Sequence, residues 1–189
     1  MINHDTHVGA SFTLQNRLAR VVWQLAYLTL FRFSPRPFHG WRRGILRLFG
    51  ASVGRGAHIY PGVKIWAPWN LRLAAACGVA DGVRLYSQAL ISIGFKAVVS
   101  QGAHICAGTH DYRAPGFPLV SKPISIGDYV WVAAEAFVHP GVTIAEGAVI
   151  GARSVVVDDM PEWMVCSGFP CAPMKERMSA GEREKVKSN

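Results

Sequence analysis

Charge is scarce in this 189-residue chain. Asp, Glu, Lys and Arg make up 17% of it against 50% hydrophobic residues, a balance that excludes an intrinsically disordered protein. Cysteine is scarcer still. The four thiols, Cys77, Cys106, Cys166 and Cys171, form no CxxC pair, which argues against a zinc ribbon or a disulfide framework and for reduced thiols in the cytoplasm. Long hydrophobic runs are missing as well. The most apolar stretch, residues 21–31, would rise only about 16 Å as a helix, whereas a bilayer core is about 30 Å thick. The first apolar run begins after a polar opening and no A-x-A site follows it, so no secretory signal is expected. HExxH, GxSxG and a GxGxxG set between strand and helix are absent, which removes the zinc-protease, nucleophile-elbow and dinucleotide readings.

The net charge of +8 is unevenly placed. Residues 1–50 carry seven Arg and one Asp, residues 51–174 eight basic and eight acidic side chains, and residues 175–189 five basic and three acidic. Nucleic-acid binding would want a basic stripe on the main body, and that body is neutral. The segment 16–31, NRLARVVWQLAYLTLF, reads as a helix with one apolar face. That face suits packing on the flank or open end of the rest of the chain. It also suits an anionic membrane surface, with Arg17, Arg20, Arg32, Arg36, Arg42, Arg43 and Arg47 and the aromatics Trp23, Tyr27 and Trp41 around it.

What the chain has in quantity is a six-residue rhythm. Steps of six from Val53 meet Ile59, Ile65 and Leu71; a two-residue shift gives Leu73, Val79, Leu85 and Ile91; another gives Ile93, Val99 and Ile105. The series resumes at Ile126 with Val132, Val138, Ile144, Ile150 and Val156. Four residues after most anchors stands a small or β-branched side chain, from Ala57 to Ser154, and glycine recurs one or three residues after the anchor. Neither a 3.6 period nor long alternation fits; very short strands joined by tight turns do.

This pattern resembles the hexapeptide repeat of the left-handed parallel β-helix acyltransferases, in which three hexapeptides make one triangular coil. The resemblance implies an all-β, left-handed parallel β-helix over residues 51–160, preceded by a helical segment at 1–50 and followed by a turn and a short C-terminal helix or tail at 161–189. The left-handedness comes from the family, since parallel crossovers are ordinarily right-handed.

The rhythm fails once. After Ile105 the next anchor should fall at position 111, and the chain supplies Asp111 followed by a proline-rich stretch to Pro123. Residues 111–123 therefore read as a loop thrown out from one corner, and loops on rigid scaffolds carry chemistry. His110 stands at its foot, and a neutral imidazole suits proton abstraction near pH 7. The family resemblance implies that this histidine takes the proton of a sugar hydroxyl while the oxygen attacks acetyl-CoA. Its orienting partner is Asp111, Glu135 or a backbone carbonyl. The resemblance further implies an oxyanion donor at the Ala134 N–H, coenzyme contacts at Trp131, Ala133, Gly151, Ala152 and, through GFPCAPMK, Pro170, and no metal.

HIYPGVKIWAPWNLRL, LYSQ, CAGTHDYRAPGFPL and PEWMVCSGFPC are similar to the colanic acid acetyltransferase branch of that family. The acceptor implied is a sugar hydroxyl on a nucleotide or lipid carrier, approached by Tyr86, Ser87, Asp111 and Tyr112. The assembly implied is a homotrimer with sites between chains, in the cytoplasm or at the inner face of the membrane. Two rivals remain: a γ-carbonic-anhydrase-like coil using His104, His110 and His139 for a metal, and a non-catalytic scaffold.

Overall fold

The structure, a computed structural model, describes residues 12–188. Each repeat anchor is turned inward: all the Val, Ile and Leu positions named above are buried, none exposing more than 7%. Burial of one such side chain contributes about 1.5–3 kcal/mol, so the column they form is the main stabilising element. The small residues four positions on are buried too, except Thr109, where the coil is interrupted.

The short strands stack into three parallel sheets, the faces of a triangular solenoid. The first face holds Ser52–Val53, Leu71–Leu73, Ile91–Ile93, Ile124–Ile126 and Thr143–Ile144. The second holds His58–Ile59, Gly78–Val79, Val98–Val99, Trp131–Val132, Val149–Ile150 and Met164–Gly168. The third holds Lys64–Ile65, Arg84–Tyr86, His104–Cys106, Phe137–Val138 and Val155–Val156. Anchor pairs with anchor through the stack, as Leu73 with Ile93 and Ile93 with Ile126.

The corners impose a backbone rule that side chains obey or endure. Three residues after ten of the anchors φ is positive, whether glycine stands there (Gly56, Gly82, Gly102, Gly141, Gly147) or not (Ala76, Lys96, Tyr129, Glu135, Arg153). One residue after an anchor the coils nearly touch: a Cβ on Gly94 would meet the carbonyl of Gly127 in the next coil.

Along the stack, backbone N–H groups of one coil donate to carbonyls of the next, as His58 to Cys77 and Lys64 to Val83. The first coil therefore has carbonyls with no coil beneath them, an open edge that needs donors. The N-terminal segment supplies them. It forms α1, Leu14–Ala26, a π-helical turn Tyr27–Phe31, and α2, His39–Leu48. Arg47 Nη2 donates to the Val53 carbonyl at 2.6 Å, Arg43 to Ala57 at 3.0 Å, Arg42 Nε to Ile59 at 2.6 Å, and the Trp23 indole to Ile65 at 2.9 Å. The segment thus packs on the open end of the coil. Three of its arginines are caps, with Arg42 fully buried.

Two stretches carry more structure than a loop and a tail. The interruption at the third face is an antiparallel hairpin, Gly108–His110 with Leu119–Ser121. Beyond the last coil, Cys171–Glu176 runs antiparallel to Met164–Gly168 and extends the second face, before α3, Ala180–Ser188. Both escape the six-residue ruler because antiparallel pairing needs no inward aliphatic anchor. All four thiols are buried and unlinked, and burial pushes Cys77 and Cys166 up to about 11.

Candidate active site

The candidate residues fall on two different corners. His110 closes the strand that leaves the third face, so it stands at the corner between the third and first faces. Ala133, Ala134, Glu135, Gly151 and Ala152 follow strands of the second face and line the corner between the second and third, with Trp131 in the strand that leads to it. Within one chain these two groups do not converge.

At the first corner the His110 ring is exposed, and its Nδ1 lies 2.6 Å from the Phe117 carbonyl oxygen across the hairpin. A carbonyl only accepts, so Nδ1 carries a proton, and in the neutral ring the lone pair is then on Nε2. The hairpin is braced by Asp111 N–H to Pro118 O at 2.9 Å and by a turn at Gly116 and Phe117, both at positive φ. Of the three orienters considered, the carbonyl is the one in place. Asp111 Oδ1 instead accepts the Arg113 N–H at 2.9 Å and shapes the turn. Glu135, on the other corner, pairs with Arg153 at 2.7 Å.

Tyr86 stands one coil before His110 near the same corner, half-buried, its ring edge-on to Trp66 and His104 and its hydroxyl 2.6 Å from Gln88 Nε2. Ser87 is fully buried, and its hydroxyl both donates to the Ala67 carbonyl and accepts the Ala67 N–H. The expected acceptor contact at Ser87 therefore gives way to a backbone brace, because a side chain enclosed and doubly bonded has nothing left for a ligand. Tyr112 is 73% exposed at the hairpin tip, with the Arg113 guanidinium over its ring. Gln88, which sequence reasoning passed over, packs under Gly108, where a Cβ would strike its amide. Its nearness to the strand that ends at His110 is a matter of register between coils, for which the repeat offers no cue.

The second corner is shallow and poor in side chains. Ala133 is buried, Ala134 half-buried, and Gly151 and Ala152 continue the line one coil on. Among the described residues the Ala134 and Ala152 N–H groups donate to no hydrogen bond, which leaves them pointing from the corner as donors. Trp131 is 47% exposed on the adjoining face, its indole held by Ser100 Oγ at 2.9 Å. Ser100 was also unforeseen; the clue is that it follows Val98–Val99, the strand that pairs directly with that of Trp131. Below it on the same face is a groove of about 560 Å³ lined by Arg36, Tyr60, Asp81, Ser100 and Gln101. Above it, Pro170 is exposed in the turn between the last two strands.

His104 and His139 have packing roles. His104 lies against Tyr86 and Phe137, and burial holds its imidazole below the ordinary value, with Arg84 adding to the effect. His139 packs edge-on to Phe137. Among the described residues no three His, Cys, Asp or Glu side chains gather as a metal site. Nor is any helix among them long and apolar enough to cross a membrane.

A parallel β-helix with a basic hairpin residue at one corner and a bare, donor-bearing groove at another has known relatives. Residues 123–158 match the bacterial transferase hexapeptide family (six repeats). The chain is 41% identical over 171 residues to the putative colanic acid biosynthesis acetyltransferase WcaF of Escherichia coli (strain K12), covering 90% of this chain and 94% of that one. It belongs to the hexapeptide-repeat acetyltransferases. Its fold is shared by a maltose O-acetyltransferase from Clostridium difficile 630, with a TM-score of 0.81 at 24% identity over 88% of this chain and 90% of that one. It is shared also by a galactoside acetyltransferase in complex with coenzyme A, with a TM-score of 0.74 at 22% identity over 93% and 88%.

Proposed function

We propose that this protein is an O-acetyltransferase that moves the acetyl group of acetyl-CoA to a sugar hydroxyl in exopolysaccharide assembly, acting as a homotrimer in the cytoplasm with His110 as general base. Residues 51–160 are then the catalytic coil, residues 1–50 its cap and residues 161–189 the closure of its far end. The observation that carries the reading is the His110 hydrogen bond: Nδ1 is committed to the Phe117 carbonyl on an exposed hairpin, which in the neutral ring places the lone pair on Nε2.

In this reading Nε2 takes the hydroxyl proton as the sugar oxygen attacks the thioester carbonyl. The tetrahedral oxyanion accepts the Ala134 N–H. Collapse breaks the C–S bond, and the imidazolium returns its proton to the departing thiolate. The pantetheine arm needs a strip without bulky side chains, which suits Ala133, Ala134, Gly151 and Ala152, with Trp131 at its edge and Pro170 at its upper end. Because the base and the strip lie on different corners, a neighbouring chain must complete each site, and a closed three-fold ring does this for every protomer. Support for a sugar acceptor comes from the names of the relatives: colanic acid, maltose and galactoside acetyltransferases. Tyr86 and Tyr112 flank the base and suit a sugar ring on a nucleotide or lipid carrier.

The test is thiol release from acetyl-CoA over a panel of free sugars, nucleotide sugars and lipid-linked sugars. At least one acceptor should stimulate release in the wild type, and His110→Ala should lower that rate by about 10²–10⁴-fold with an unchanged melting temperature. Equal rates in the two proteins reject the base.

A further inference from the structure

The side of α1 that faces away from the coil is apolar. Trp23 is the buried residue of this helix, while Leu14, Leu18, Val21, Val22 and Leu25 are 56–69% exposed. Their spacing of four, three, one and three residues puts them on a single stripe opposite Trp23. Exposed aromatics continue the patch beyond the helix: Phe33 at 80%, Phe38 at 54% and Trp41 at 50%. Packing on the coil end has thus used one side of the segment and left the more hydrophobic side in water. Contiguous exposed apolar surface of this kind marks an interaction site.

Its charge says what covers it. Residues 12–50 contain seven Arg and no Asp or Glu. The caps formed by Arg42, Arg43 and Arg47 reach neutral carbonyls, which satisfies their donors without cancelling their charge. Among the described residues the acidic partner in this neighbourhood is Asp81, 2.9 Å from Arg36. Arg17, Arg32 and Arg36 are exposed on the same segment, and two copies meeting stripe to stripe would set these arginines against one another. An anionic bilayer supplies a hydrocarbon boundary for the leucines, a headgroup zone for the aromatics and phosphates for the arginines. At 13 residues α1 rises only about 20 Å, enough to lie in the interface and too short to cross it.

We infer that α1 and the turn after it form a monotopic membrane-binding face, which holds the N-terminal end of the coil against an anionic lipid surface. This goes beyond the acetyl-transfer reading and does not depend on it. Where both hold, the face keeps the site beside lipid-linked sugars.

The full chain is sedimented with vesicles of phosphatidylcholine containing phosphatidylglycerol and, separately, with vesicles of phosphatidylcholine alone. Wild type should bind the anionic vesicles at least about tenfold more tightly, with affinity falling as salt rises. Leu18→Gln/Leu25→Gln, on exposed positions, should lose about tenfold or more while keeping its melting temperature and its thiol release on a soluble acceptor. Wild type that stays in the supernatant with both vesicles overturns the inference, as does a double variant that binds like wild type. A double variant that turns a larger assembly into a smaller one, with no vesicle binding by wild type, assigns the stripe to a second copy instead. Thiol release read on the same samples reports separately on the catalytic reading.

Discussion

The corner behind the second face and the corner behind the third are built from the same backbone path and behave in opposite ways. The first obeys the repeat without exception: small residues at Ala133, Ala134, Gly151 and Ala152, open N–H groups, and the rigid support of coils above and below. The second abandons the repeat at Asp111 and spends the freed chain on a hairpin that holds one imidazole by a carbonyl. A regular corner gives shape and donors but no proton acceptor; an irregular one gives the acceptor but no groove. In the proposed homotrimer a neighbouring chain would bring the two together.

That contrast can be broken most severely by complementation. His110→Ala disables the hairpin corner and Ala134→Trp fills the groove corner, and each should lower transfer by at least about 10²-fold alone. Refolded together, the two variants should regain measurable activity, since mixed rings contain some intact pairs of corners. No recovery, with mixed rings verified by mass, would place the whole site within one chain.

The remaining corner, between the first face and the second, shows what regular stacking costs to disturb. Gly94→Ala puts a methyl into the backbone of the next coil and should cost about 2–3 kcal/mol in denaturant unfolding. The reason is that a stacked coil cannot yield locally without disturbing its neighbours.

A pH series tests the third face that feeds the hairpin. Burial lowers the His104 imidazole below its ordinary value of about 6.5, so the folded state favours the neutral ring. Its contribution is present in full above pH ~6.5 and is lost as pH falls through and below that value. His39 is lowered by burial in the same sense. The melting temperature should therefore drop as pH falls from about 7 to 5, and His104→Gln should flatten part of that drop.

Smaller effects complete the comparison. Lys96 endures a φ of 52° at a regular corner, so Lys96→Gly should gain up to about 1 kcal/mol, a rare case of stabilisation by glycine. Tyr112→Ala, at the exposed hairpin tip, should change stability by less than about 0.5 kcal/mol while weakening acceptor binding, seen as a higher KM with kcat retained.

Much of this is legible in the sequence. Every aliphatic from Val53 to Val156 in the six-residue series faces the core, because in a coil of two- and three-residue strands the period alone decides which side chain points inward. The break after Ile105 was equally legible, since Asp111 cannot take an anchor's place. Contacts that depend on register between coils were not. Ser100 beneath the Trp131 indole and Gln88 beneath Gly108 join residues 31 and 20 positions apart, and Ser87, polar and close to the hairpin, looked available until its hydroxyl proved enclosed by Ala67.

By itself the order of residues determined the triangular column and the place where it is interrupted, because both follow from a short-range rule repeated along the chain. Only the tertiary structure decided that Phe117 rather than a carboxylate holds His110, that Arg42, Arg43 and Arg47 close the first coil, and that the leucines of α1 are left facing outward. The physical reason is the same in each case. A repeat specifies its interior, whereas its ends and its single break are satisfied by whichever donor or acceptor folding brings within reach.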